Sequence, residues 1–217
     1  GTVFTFGKNG NGQLGINSIN DALTPMEISG NHTDIIAVSC GGTHTAILKN
    51  NGTVFTFGNN DIGQLGRNDG NYGIPMEISG NHRDIIAVSC GGYHTAILKN
   101  NGTVFTFGSN NFYGQLGRGD DDNNIPMEIS GNHTDIIAVS CGGYHTAILK
   151  SNGTVFTFGD NGFGRLGRDV INDNFDIPVK ISGNHTDIIA VSCGAFHTAI
   201  LKNDGTVFTF GNNGFGR

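Results

Sequence analysis

Apolar positions in this chain fall in short runs of five or six residues, and the runs recur in a fixed order. Around Cys90 the order is IIAVSC from Ile85, HTAIL from His94 and TVFTF from Thr103, preceded by a weaker run, PMEIS from Pro75. None of them carries the 3.6-residue spacing of an amphipathic helix, and each has the length of a strand. Valine, isoleucine, threonine and phenylalanine are strand formers. Between HTAIL and TVFTF lies Asn101-Gly102, and the matching places hold Asn51-Gly52, Asn152-Gly153 and Asp204-Gly205. Asn-Gly between apolar runs is a strong hairpin signal, because a type I′ turn needs φ > 0 at both central residues. The two runs are therefore expected to pair antiparallel across a two-residue turn. IIAVSC does not alternate, which predicts a strand buried on both faces. PMEIS opens with proline, which suits a sheet edge.

The pattern comes round four times. CGGTHTAILKNNGTVFTFG starts at Cys40, CGGYHTAILKNNGTVFTFG at Cys90, CGGYHTAILKSNGTVFTFG at Cys141 and CGAFHTAILKNDGTVFTFG at Cys193, and GTVFTFG also opens the chain at Gly1. The single array 1–217 divides into units of about 1–51, 52–101, 102–152 and 153–204, with a partial unit 205–217. Each offers four short strands, in chain order GTVFTF, PMEIS, IIAVSC, HTAIL. A period of about 50 residues with four strands per period signals an all-β fold, a β-propeller-type array of four-stranded antiparallel blades. Phe55, Phe57, Phe105, Phe107, Phe156 and Phe158 are expected in its core. GQLG recurs at Gly12, Gly63 and Gly114 and becomes GRLG at Gly164, and the polar segment after it changes in length and residues. In repeat folds such insertions map to one face, and that face often binds.

GTVFTFGNNDIGQLG, a variable loop, P-x-E-I and IIAVSCGGYHTAIL together resemble the regulator of chromosome condensation repeat family. The resemblance covers the whole chain. It implies four-stranded blades, seven of which usually close a ring. Phe6, Phe57, Phe107, Phe158 and Phe210 stand where that family commonly has tryptophan, and phenylalanine keeps the apolar filling. Four units and a strand fall short of seven. Residues 1–217 are thus expected to be cut from a longer chain that closes a ring, in preference to identical copies joining head to tail. The family includes guanine-nucleotide exchange factors, which implies a protein partner. Their exchange activity depends on elements outside the repeat consensus, and no residue here maps to them.

Composition narrows the partners. Of 217 residues only 14% are charged, and the net charge is −6. A DNA-phosphate partner would need a lysine and arginine footprint, so no nucleic acid is expected. No apolar run approaches the roughly 20 residues of a membrane helix, so no membrane span is expected. The partner is instead a protein, or further copies of the same chain. Cys40, Cys90, Cys141 and Cys193 fall once per unit in the same strand, which reads as four reduced, buried apolar residues rather than a disulfide framework.

Candidate chemistry is sparse. His44, His94, His145 and His197 each follow a cysteine by four residues, but one Cys-x₃-His per unit supplies two ligands where structural zinc needs four. A histidine bonding backbone near the inner end of its blade explains the recurrence. His32, His82, His133 and His185, in GNHTD or GNHRD, read as turn residues. Asp120-Asp121-Asp122-Asn123-Asn124 has oxygen ligands of the kind calcium takes, without the spacing of a calcium loop, and reads as a solvated loop. The recurring Ser-Cys-Gly does not make one nucleophile with one base. No catalytic residue, metal ligand or cofactor site is therefore expected. Asn31, Asn51, Asn101, Asn132, Asn152 and Asn184 open N-x-T sequons, glycosylation candidates if the chain is secreted. The function expected is a non-enzymatic module presenting variable loops to a protein partner, with a structural head-to-tail subunit as the alternative.

Overall fold

The computed structural model describes residues 1–69, 72–110, 113–119, 123–170 and 175–214. Among these, the strands form three four-stranded sheets, one of three strands and one of two. A representative sheet runs outward from an inner strand, Ile85–Cys90, through a second, His94–Lys99, and a third, Val104–Gly108, to an outer strand, Asn123–Glu128. All neighbours pair antiparallel. Sheets of the same order begin at Ile35 and Ile136, and that beginning at Ile188 has three strands. Phe4–Gly7 pairs with Ala22–Glu27 in the remaining sheet. Every four-stranded sheet takes its inner and second strands from one sequence repeat and its third and outer strands from the next. The proline-bearing strand is the outer edge, where a missing N–H costs no ladder bond.

The hairpin between second and third strands is antiparallel as expected, but its turn is not the expected one. Leu98 pairs with Val104, so three residues, Asn100–Gly102, make the turn after Lys99. Gly102 N donates to Lys99 O at 3.0 Å and Lys99 N to Thr103 O at 2.9 Å. Only Gly102 is left-handed, with φ 80°. This is a type I turn closed by a glycine bulge. Asn101 stays out of the left-handed region because its Oδ1 accepts from both Thr103 N and Thr103 Oγ1, at 3.1 and 2.7 Å.

The inner strand also departs from expectation, since it is not buried on both faces. Ile85 pairs with Lys99 and Ala87 with Leu98, leaving Ile86 as a bulge. The extra residue turns Ile85 inward and Ile86 outward, at 3% and 51% exposure. The double isoleucine that hid the alternation is this bulge, and Ile36, Ile137 and Ile189 are exposed in the same way. The strand buried on both faces is the second one, where His94 to Leu98 are all buried.

That burial shows where the core sits. Ala46, Leu48, Val54 and Ile78 of one sheet pack against Ile85, Cys90, Ile97 and Phe107 of the next. Ala96, Leu98, Val104 and Ile129 do the same with Ile136, Cys141, Ile148 and Phe158. Neighbouring residues of one strand serve opposite interfaces, so each sheet contributes to two cores and owns neither. The six phenylalanines divide accordingly. Phe57, Phe107 and Phe158 are fully buried, whereas Phe55, Phe105 and Phe156 are half-buried. The latter three lie near the hairpin end of their sheets, each under a histidine ring: His82 meets Phe105 edge-on with centroids 4.8 Å apart. Lys99 covers Phe105 from 5.7 Å. The cysteines are all free. Cys90 and Cys141 are buried, but Cys193 is half-buried and Cys40 exposed, so the expectation of four buried cysteines holds for two of them.

The two sets of phenylalanine should respond differently to truncation. Phe107→Ala should cost roughly 3–5 kcal/mol, in the range of a fully buried ring. Phe105→Ala should cost less than half as much. Urea midpoints of the two variants, at unchanged denaturant slope, measure the difference, and equal losses would contradict the placement of the core.

Candidate functional site

The antiparallel sheets give the array two unlike faces. Turns from inner to second strand, and loops from third to outer strand, emerge together, since His94 pairs with Gly108 at that end. The Asn-Gly hairpins and the GNHTD turns emerge at the opposite end, where Ile85 pairs with Lys99. The first is the loop face and the second the hairpin face. All six sequon asparagines lie on the hairpin face and are exposed. Asn31 and Asn132 are left-handed, with φ 51° and 53°, each just before a histidine, His32 or His133, that reads as a turn residue.

Each long loop is pinned before it varies. Asn60 is the pin: its Oδ1 accepts from Leu65 N at 2.9 Å and its Nδ2 donates to Arg67 O at 2.8 Å. Asn9, Asn110 and Asn161 bond Leu14, Leu116 and Leu166 in the same way. The second glycine of GQLG closes against the next sheet. Gly66 has φ 66°, and a Cβ there would lie 2.8 Å from the Phe107 ring. Sequence reading missed the pin, although an asparagine five or six residues before the GQLG leucine in each loop was visible.

It also missed the arginine that follows. Arg67 and Arg118 are buried and Arg168 half-buried. Arg118 donates to Thr106 O at 2.9 Å and Met127 O at 3.4 Å, joining the third strand to the outer one. Arg168 reaches Val179 O at 2.8 Å to the same effect. Burial pushes the Arg67 and Arg168 guanidinium pKa down to about 10, which leaves both charged at neutral pH. These residues look like the start of a solvated loop but are structural.

Beyond the pins, the loop face carries aromatic rings. Tyr93 and Tyr144 follow glycine pairs and Phe196 follows Gly194-Ala195 in successive turns, and Tyr113 and Phe163 stand in the long loops. Tyr93 stacks on Tyr144 with centroids 5.1 Å apart, and Tyr113 meets Tyr144 at 5.0 Å. Tyr93 is 41% exposed and Phe163 65%. Arg165 lies 5.9 Å from the Phe163 centroid and 5.3 Å from that of Phe196, with its charge held by Asp160 at 2.9 Å. Beside this belt runs a groove of about 290 Å³ lined by the four Cys-Gly-Gly or Cys-Gly-Ala segments. Tyr72 also lies exposed in a third-to-outer loop. Of the acidic run, Asp120–Asp122 fall outside the described residues and Asn124 is exposed at the start of an outer strand.

The histidines after the cysteines do not bond backbone, as was expected. His44, His94 and His145 each place Nε2 2.8 Å from a threonine hydroxyl of the next sheet, on Thr95, Thr146 and Thr198. Thr95 gives its own proton to Gln64 O at 2.8 Å. Its oxygen must therefore accept from His44, which fixes the proton on Nε2 and leaves buried Nδ1 without a partner. A second proton would have nowhere to go. Burial accordingly pushes His44 down to about 4 and His94 and His145 down to about 3. The ring turns toward the neighbouring sheet, so its cysteine is not a co-ligand. Among the described residues no cluster of three or more histidine, cysteine or acidic side chains is placed to hold a metal ion. Burial first of all raises the Cys90 thiol to about 12.

Comparison with known proteins extends the picture. The family model of the RCC1-like domain matches residues 1–217. The probable E3 ubiquitin-protein ligase HERC3 of Homo sapiens is 34% identical over 215 residues, which cover 97% of this chain and 16% of that protein. The ultraviolet-B receptor UVR8 of Arabidopsis thaliana is 32% identical over 218 residues, covering 97% of this chain and 49% of that one. The chain thus spans half or less of these relatives. Human WBSCR16 superposes with a TM-score of 0.84 at 23% identity, over 98% of this chain and 61% of that one. Yeast RCC1 (Prp20), solved bound to Kap60, gives 0.83 at 19% identity over 98% and 52%. These solved relatives make the sheets blades of an RCC1-type β-propeller.

The histidine ladder should make folding acid-sensitive. A ring held neutral in the folded state and free to charge at 6.5 in the unfolded one contributes fully above pH 6.5. The contribution is then lost as pH falls toward 4 for His44 and toward 3 for His94 and His145. The loss should reach roughly 2–3 kcal/mol per histidine near pH 4. Urea titrations at pH 7 and pH 4.5 measure it. His94→Gln, which keeps a donor but cannot titrate, should flatten the dependence, and a pH-independent midpoint in the parent chain would refute the ladder.

Proposed function

The chain belongs to the family of RCC1-like domains, and on that premise we propose that it is a non-enzymatic protein-interaction module that receives its partner on the loop face. One observation carries this reading. The hairpin face repeats nearly unchanged from unit to unit, while the loop face varies in length and residues and exposes a belt of tyrosine and phenylalanine. Aromatic side chains are enriched at the centres of protein interfaces. Solved relatives point to protein partners: yeast RCC1 was crystallised with Kap60, and the structure of Prp20p was described with its binding to Gsp1p and histones.

The side chains that recur in every unit are poor catalysts. His44, His94 and His145 are buried and held neutral, and a thiol raised by burial, as at Cys90, is a weak nucleophile. The ubiquitin-ligase name of HERC3 does not carry over, since this chain corresponds to about a sixth of that protein. If the chain meets the glycosylation machinery, glycans on Asn31, Asn51, Asn101, Asn132, Asn152 and Asn184 would crowd the hairpin face and leave the loop face clear.

A structural, head-to-tail role has a contact against it as well as one in its favour. His197 offers the donor, and Thr45 the hydroxyl, of one more ladder step. But Gly42, Gly92 and Gly143 sit so close to the next sheet that a Cβ would lie 2.7, 2.7 and 2.6 Å from its carbonyl oxygen. Ala195 occupies that place in the last unit. A further copy docked in the same geometry would meet its methyl group.

The test is a random-peptide display selection on residues 1–217, followed by two surface variants. Selected peptides should lose binding to Tyr93→Ala/Phe163→Ala on the loop face and keep it with Asn51→Ala/Asn152→Ala on the hairpin face. Enriched peptides that behave the other way round, or a failure to enrich any, would overturn the proposal.

A further inference from the structure

We propose that the loop face is built for a cationic peptide, whose arginine side chains lie against the tyrosine belt of Tyr93, Tyr113 and Tyr144. This deepens, and rests on, the reading of the loop face as the partner surface. Three observations converge on it.

The first is the direction in which charge points. The segments joining third to outer strands, 8–21, 59–75, 109–122 and 160–174, contain nine aspartates, no glutamate and five basic residues. Four of the five are the arginines already described, and they are drawn inward: Arg67, Arg118 and Arg165 are buried and Arg168 is half-buried. Only Lys8 is exposed. Asp69 and Asp160 pair with Arg67 and Arg165. Among the described residues the loops keep their arginines inside and expose Asp21, Asp61 and Asp169. A polyanion would be repelled from such a face, and a cation attracted.

The second is that the belt already holds a guanidinium. Arg165 sits over Phe163 and Phe196 at distances where the ring quadrupole attracts a cation. In the two preceding loops its place is taken by Gln64 and Gln115, which are neutral. The rings that correspond to Phe196 there are Tyr93 and Tyr144. Among the described residues no cation sits over either of these rings, although Arg165 is within electrostatic reach of Tyr144, and phenol rings are as suited to one as phenylalanine.

The third is an orphan. The Gln115 carboxamide, two residues after Tyr113, is fully buried and neither its Oε1 nor its Nε2 has a hydrogen-bond partner. Its counterpart Gln64 is satisfied by Asn59 at 2.5 Å. A buried amide with both polar atoms unpaired, two residues from Tyr113, is one that a donor-rich visitor entering beside the belt would satisfy. Arginine fits better than lysine, since its planar fork can stack on a ring and donate sideways at once.

The chain supplies its own reporter. It has no tryptophan and four tyrosines, three of them in the belt, so its intrinsic emission reads this surface. A fluorescein-labelled arginine-glycine decapeptide is titrated into residues 1–217, with lysine-glycine and glutamate-glycine decapeptides and a single-stranded RNA decamer alongside. The arginine peptide should bind, change tyrosine emission and weaken as salt is added. Tyr93→Ala should weaken it by about tenfold, and Tyr93→Phe by about twofold at most. Melting temperatures should not move, because Tyr93 is largely a surface residue. The inference is overturned if the arginine peptide fails to bind, if Tyr93→Ala binds it as well as the parent, or if the acidic peptide or the RNA binds more tightly. A loop face that selects peptides of another chemistry in the display experiment would sink this inference and leave the interaction reading standing. Selection on the hairpin face would sink that reading itself.

Discussion

The constraint on which everything else depends is that no sheet in this chain owns a core. The second strand is apolar on both sides, Ala96 and Leu98 turned to one neighbour and Ile97 to the other. A sheet taken alone would expose both sets. Stability therefore comes from a repeated contact between sheets, as in arrays whose units are stable only through their neighbours. The near-identity of the repeats follows: each sheet must fit the one before and the one after, so both of its faces are fixed. Glycine pairs after the cysteines show how tightly. A Cβ on Gly91 would stand 2.5 Å from Gly142 O in the next sheet.

With both broad faces of every sheet committed, only its two ends remain free to change. They are not equally free. At the hairpin end, bonds from threonine to an asparagine or, at Asp204, an aspartate, and the histidine–phenylalanine contacts, recur along the array, so the end is held by its own short-range chemistry. At the loop end, the chain is fastened at the asparagine pin and the GQLG glycine and released after the arginine. Variation is tolerated there because the fastening lies upstream of it. Such a scaffold concentrates diversity on one surface, which is how rigid folds acquire binding sites.

Much of this was legible in the sequence, and the illegible parts share a cause. Strand positions, antiparallel hairpins and the family followed from local patterns, since a short apolar run and an Asn-Gly pair are signals confined to a few residues. What failed was anything decided by a partner distant in the chain. The Ile85-Ile86 pair read as double-sided burial because a bulge shows only against the opposing strand. Phe105 and Phe107 look alike in TVFTF, and only the packing of the next sheet separates them. Arg118 read only as part of a variable polar segment because its acceptors, Thr106 O and Met127 O, are backbone atoms with no residue signature. The histidines read as bonding backbone, yet their threonine partners lie 51 to 53 positions away, one full repeat along.

The ladder that joins those partners runs in one direction, and this ties the fold to the face that varies. A histidine of one sheet donates to a threonine of the next, and that threonine donates back to the loop following the first sheet: Thr95 to Gln64 O, Thr146 to Gln115 O, Thr198 to Arg165 O. The carbonyl that is gripped belongs to GQLG or GRLG, immediately before the variable segment. Each loop is thus positioned by the sheet that follows it as well as by its own asparagine pin. Proton placement keeps the arrangement single-valued, since a threonine that donates to the loop can only accept from the ring. The same neutral imidazoles that close the interfaces therefore also fix where the variable segments begin. A change in the ladder would be felt on the loop face even though no histidine of the ladder reaches that surface. Stability and the starting point of each variable segment rest in this chain on one set of hydrogen bonds.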